Sequence, residues 1–105
     1  MRIIEQLSDH IREEICDATD YAREALDLKE ENKGVADLYI RLASEELMHM
    51  ELLHNKVTEV IEDWKKKTGE EPPAHMQARY DILHKIYMGD ANKARLMIQL
   101  YKEAK

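Results

Sequence analysis

Apolar residues recur along the chain at alternating spacings of three and four, which places them on one face of an α-helix. Two stretches, 30–34 and 68–73, interrupt this pattern, and each contains glycine or proline, the residues that commonly end helices. The sequence therefore predicts three long helices in an antiparallel bundle, from about Ile3 to Glu30, from about Val35 to Lys67 and from about Ala74 to Ala104.

Each predicted apolar stripe contains a single acidic residue: Glu14 in the first helix, Glu46 in the second and Asp90 in the third. The stripe of the first helix is otherwise Ile4, Leu7, Ile11, Ala18, Tyr21, Ala25 and Leu28. Because an ionised carboxylate that is buried without a partner costs several kcal/mol, each acid needs a compensating group. For Asp90 the pair Gly89-Asp90 is typical of a helix start, so the third helix is predicted to bend or divide near Gly89.

Glu46 and His49 form a Glu-x-x-His pair, in which the carboxylate and the imidazole lie one helical turn apart and can bind one metal ion. Counting residues from the first interruption places Glu14 within ~6 Å of the height of Glu46. We therefore expect Glu14, Glu46 and His49 to meet across the first two helices as metal ligands.

Two other interpretations of the acids stay open on sequence alone. Glu14 and Glu46 can belong to a buried salt-bridge or hydrogen-bond network with Arg41, Lys93, Arg95 or a tyrosine hydroxyl, or they can form a neutral, protonated pair. Whether Asp17, Asp81, His84 or Asp90 joins the site is also open, although a solvated position is expected for Asp17 and Asp81. His10, His54 and His84 fall at similar estimated heights on the three helices and could form a second cluster, but we expect them to be independent, partly exposed residues.

Composition narrows the class of protein further. A chain of 105 residues with 3 Gly, 2 Pro and no Phe is expected to form one all-α domain over residues 1–105. The net charge of -6, with basic residues spread along the chain, argues against nucleic-acid and membrane-surface binding. A single cysteine, Cys16, excludes an internal disulfide and favours a cytoplasmic location.

From Glu14 to His49 the chain resembles the ferritin-like superfamily of diiron carboxylate proteins, particularly the rubrerythrins and the short encapsulated ferritins. Those families combine a ligand Glu on the first helix, an aromatic residue two turns later, small residues at the helix crossing and Glu-x-x-His on the second helix. The matching residues here are Glu14, Tyr21, Ala22, Ala25, Ala36, Tyr39, Ala43, Glu46 and His49.

The chain departs from a complete ferritin-like bundle because it has no second Glu-x-x-His; the nearest candidate, Asp81 to His84, starts off the stripe. The resemblance implies that a homodimer, or a larger homo-oligomer, completes a dinuclear iron or manganese site from two copies of Glu14, Glu46 and His49. It further implies Fe(II) oxidation by oxygen or peroxide, with Tyr21 and Tyr39 near the acids. The alternative is a non-catalytic helical interaction or assembly protein with a degenerate ferritin-like site.

Overall fold

The computed structural model describes residues 2–103, and within that range the chain forms three α-helices and no β-strand. The helices are α1 (Arg2–Leu28), α2 (Lys33–Thr68) and α3 (Ala74–Glu103), packed into a body of 56 × 19 × 18 Å. The all-helical prediction is confirmed to this extent, whereas Ala104, the predicted end of the third helix, lies outside the described residues. None of the three helices combines the length and the apolar character that crossing a membrane requires.

Both helix interruptions have a local chemical cause. At the start of α2 the Asn32 side chain accepts a hydrogen bond from the Val35 backbone N–H at 3.1 Å, which satisfies one of the donors that a helix leaves free. At its end Gly69 adopts the left-handed conformation, with φ 67°, and donates its N–H to the Lys65 carbonyl at 2.8 Å. Because side chains disfavour this conformation, glycine is the natural residue for that turn.

The predicted division near Gly89 is wrong, since α3 continues without interruption from Ala74 to Glu103. Asp90 therefore lies inside a helix and is not a helix cap. An interior glycine costs a helix roughly 1 kcal/mol relative to alanine. Burial of Ala91 and Ala94 against the core, immediately after Gly89, offsets that cost and keeps the helix continuous.

Small side chains fill the contact between α1 and α2, and this determines where the acidic residues lie. Five alanines on these helices are fully buried: Ala18, Ala22, Ala25, Ala36 and Ala43. Their size allows the two backbones to approach closely. Tyr21 stacks on Tyr39 with ring centroids 5.8 Å apart, and about two turns nearer the start of α1 Glu14 meets His49.

The end of α3 is held against the turn between α1 and α2 by Tyr101. Its hydroxyl donates to Asp37 Oδ1 at 2.5 Å, and Lys29 Nζ donates to its carbonyl oxygen at 2.7 Å. Burial and the Asp37 carboxylate raise the pKa of Tyr101 to about 12, so the hydroxyl keeps its proton and remains a donor. The hydrogen bond in turn lowers the pKa of Asp37.

Replacing Tyr101 by phenylalanine removes this donor while keeping the buried ring, and we expect the melting temperature to fall by about 5 °C. Thermal denaturation followed by circular dichroism measures the shift. Tyr21→Phe is the matched control, because Tyr21 contributes ring stacking rather than a hydroxyl bond. Equal melting temperatures for Tyr101→Phe and the unaltered protein would show that the bond to Asp37 does not stabilise the fold.

Candidate metal centre

The three predicted ligands meet at one place on the surface of the α1–α2 pair. Glu14 comes from α1, and Glu46 and His49 come from adjacent turns of α2. His49 Nδ1 lies 3.2 Å from Glu14 Oε2 and 3.8 Å from Glu46 Oε1. One potential ligand atom from each of the three side chains lies within 4.8 Å of the other two. The structure thus brings together an oxygen, oxygen, nitrogen donor set.

The two carboxylates and the imidazole differ in their exposure to water. The side chains of Glu14 and Glu46 are 22% and 19% exposed, whereas that of His49 is 56% exposed. The acids therefore lie at the edge of the core, and the histidine forms the outer side of the site. The site is therefore shielded from water on the side of the acids and accessible from solvent on the side of His49.

Glu46 has the most strongly perturbed carboxyl group of the cluster. A hydrogen bond with Glu14, together with burial and the negative charge of Glu14, raises the pKa of Glu46 to about 7. The neighbouring His49 opposes this shift and Asp17 adds to it. Below neutral pH the protonated Glu46 donates to Glu14, so one proton lies between the two carboxyl groups and the pair keeps one negative charge. A bound cation would remove the need for that proton.

The alternative of a salt bridge with a basic side chain is not found in the described part of the chain. Arg41 donates instead to Glu45 at 3.2 Å, and Arg95 donates to Glu51 at 3.3 Å. Within residues 2–103 neither Glu14 nor Glu46 forms an ion pair with a lysine or arginine. The negative charge of the cluster is therefore balanced by a proton, by His49 or by a cation from solution.

The other open candidates lie outside this cluster. Asp17 is exposed and acts on Glu46 only through its charge. Asp81 accepts a hydrogen bond from Gln77 at 2.9 Å, and Asp90 lies beside a groove between α1 and α3. Tyr21 and Tyr39, which were expected near the acids, stack on each other two turns away along α1.

Two histidines form a contact that the sequence analysis raised as an alternative but did not favour. His54 Nε2 and His84 Nδ1 lie 3.2 Å apart and their rings stack with centroids 4.8 Å apart, so the expectation that they are independent is wrong. Burial and then the charge of His84 lower the pKa of His54. Both residues lie at a similar number of residues from the second helix interruption, and this indicated from the sequence that they occupy the same layer. His10, by contrast, lies on the surface beside Glu13.

The donor chemistry of the cluster fits iron or manganese, which accept oxygen-rich coordination with a few nitrogens. Comparisons with protein-family models, with curated proteins and with solved structures found no match to this chain. The arrangement of the residues is therefore the basis for a functional assignment.

Proposed function

We propose that the chain is a small ferritin-like iron-binding protein, an antiparallel bundle whose dinuclear site is shared between two copies and oxidises Fe(II). The observation that supports this most directly is the convergence of Glu14, Glu46 and His49 without a basic partner for either acid in residues 2–103. Acids at the edge of an apolar core are costly unless a cation or a proton compensates them. A metal ion compensates both at once.

Sharing between two copies follows from the incomplete donor set. Three side chains cannot enclose two ions, and the cluster is open beside the exposed His49. A two-fold axis at this face would bring together four carboxylates and two imidazoles, the number that ferritin-like sites use. Half-buried apolar residues occupy the same helix flanks and could pack in such a contact: Leu7 and Tyr21 on α1, and Leu42 and Leu53 on α2.

Each side chain would have a distinct role in the shared site. Glu46 lies beside both Glu14 and His49, and it would help to hold both ions once it releases its proton. Glu14 would bind terminally or bridge, and His49 would supply nitrogen through Nδ1. Iron bound there would supply redox chemistry, in which two Fe(II) ions give one electron each to oxygen, which takes up two protons and forms peroxide.

The proposal predicts about one iron per chain, bound by a dimer. We expect anaerobic Fe(II) titration to saturate at this ratio, light scattering to report pairs of chains or larger even-numbered assemblies, and oxygen uptake to follow at about one O₂ per two Fe(II). His49→Ala should lower the stoichiometry, while His10→Ala, which alters an exposed histidine outside the cluster, should not. Substoichiometric iron in the unaltered protein would contradict the proposal.

The second candidate function is a non-catalytic assembly protein with a degenerate site. What favours it is the raised pKa of Glu46, because a proton held between Glu46 and Glu14 offsets one of the two negative charges without any metal. In that case the cluster would only specify how two copies pair. The same titration separates the two functions, because an assembly protein binds no stoichiometric iron and consumes no oxygen on addition of Fe(II).

A further inference from the structure

The third helix has a second apolar face that points away from the core. Ala91, Ala94, Ile98 and Tyr101 are buried against the bundle. Four larger residues of the same helix are more than half exposed: Ile82 (61%), Ile86 (52%), Leu96 (59%) and Leu100 (57%). Because α1 and α2 cover only one side of α3, these side chains contribute nothing to the core. We call this set, with Gly89 and Lys93 between its halves, the outer stripe.

The outer stripe has the spacing of a coiled-coil seam. Residues 82, 86, 89, 93, 96 and 100 follow one another at intervals of four, three, four, three and four. A helix with apolar residues at this spacing packs lengthwise against another helix, each side chain fitting between those of its partner. Exposed apolar residues scattered singly need no explanation, but two pairs of large apolar residues in one row at this period indicate an interaction surface.

We propose that the outer stripe packs antiparallel against the outer stripe of a second copy of this chain. With the two-fold axis midway between Gly89 and Lys93, Ile82 lies opposite the second copy's Leu100, and Ile86 lies opposite its Leu96. Each of these pairs then occurs twice. The stripe is therefore complementary to itself, and all four large apolar residues are covered by one contact.

The middle of the stripe fits this orientation as well. Lys93 lies opposite the second copy's Gly89, where the missing side chain leaves room for a long one. A Cβ added at Gly89 would meet nothing within 4 Å in the single chain, so the bundle itself does not require glycine there. In a parallel pair, two Lys93 side chains would face each other, which costs stability.

Charges at the two ends of the stripe also select the antiparallel pair. Arg79 precedes Ile82 by three residues and Glu103 follows Leu100 by three, so both extend the same row. Both are exposed, and Arg79 has no ion-pair partner in the described part of the chain. Antiparallel packing places Arg79 opposite the second copy's Glu103, twice over, whereas parallel packing places like charges together.

This contact differs from the shared metal site, because it uses the outer side of α3 rather than the flanks of α1 and α2 around His49. Two separate two-fold contacts on one chain link dimers into a closed or extended assembly. The contact does not depend on metal. It can therefore be tested in a Glu46→Ala background, where failure of the metal proposal would leave the result unchanged.

Disulfide trapping tests the orientation in the full chain, with Cys16→Ser and Glu46→Ala as background. We expect the Ile82→Cys/Leu100→Cys variant to form covalent dimers on mild oxidation, because these positions lie side by side in the antiparallel pair. Ile82→Cys alone should remain monomeric on a denaturing gel, since its two copies are separated by ~27 Å along the helix. Cross-linking of the single variant, or of neither, would overturn the proposal.

Charge reversal provides an independent measurement without cysteines. Arg79→Glu places two acids at each end of the contact. We therefore expect the dissociation constant of the dimer, measured by analytical ultracentrifugation in low salt, to rise at least about tenfold. Arg79→Glu/Glu103→Arg restores opposite charges and should return the dissociation constant to that of the parent. Equal dissociation constants in the single, double and parent chains would show that this row of α3 does not pair with itself.

Discussion

Replacing Glu46 by alanine is expected to abolish iron binding, with a loss of affinity of at least about 100-fold. Glu46 lies within 4.8 Å of both Glu14 and His49 by its ligand atom, and it would contribute to both ions of a shared site. Isothermal titration with Fe(II) under argon measures the affinity. The variant should also show no oxygen uptake above buffer when iron is added in air.

The matched control is Glu45→Ala, one position earlier on α2. Glu45 is also an acid and is paired with Arg41 at 3.2 Å, away from the cluster. We expect this variant to bind iron like the unaltered protein. Circular dichroism should show that both variants remain helical, because neither side chain belongs to the buried core. Stoichiometric iron binding by Glu46→Ala would remove the support for a metal centre at this position.

Acidification is expected to weaken metal binding by up to about tenfold per pH unit below pH 7, because Glu46 must lose its proton when a cation binds. Above pH 7 the Glu46 carboxyl group is already ionised, so it no longer makes the metal affinity depend on pH. Competition with a chromophoric chelator between pH 5.5 and 8 measures the apparent affinity. An affinity independent of pH over this interval would contradict a role for Glu46 as a ligand.

For the metal-free protein the Glu46 carboxyl group has the opposite effect: it lowers the stability of the fold as the pH rises. Because the folded chain holds the Glu46 proton up to about pH 7 and the unfolded chain only to about pH 4.5, this contribution to stability is complete at low pH. It is lost as the pH rises through 7. Glu46→Gln cannot ionise, so its melting temperature should decline less between pH 5 and pH 8 than that of the parent.

Much of the fold follows from local features of the sequence. The three-and-four spacing defines the helices, and Gly34, Gly69 and Pro72 fall at or near the interruptions. The acids stood out because an apolar stripe has no reason to contain them, and the structure places Glu14 and Glu46 beside His49. What spacing alone predicts is therefore which residues share a face and approximately which layer they occupy.

Tertiary features decided the points that the sequence analysis missed. Local chemistry at Gly89 favours a helix start, but burial of Ala91 and Ala94 prevails. His54 and His84 meet because of the exact register of α2 against α3, and loop lengths fix that register only to within about a turn. The bond from Tyr101 to Asp37 joins positions 64 residues apart, which no local pattern encodes.

The alanines between α1 and α2 have a consequence for which ions the protein could select. Because Ala18 and Ala43 are fully buried in the contact between the helices that carry Glu14 and Glu46, their size helps to determine how far apart the carboxylates stand. A valine at either position would push α1 and α2 apart and lengthen the distances between Glu14 and the two residues of α2. The preference for a smaller or a larger cation would thus depend on two alanine side chains that do not contact the ion.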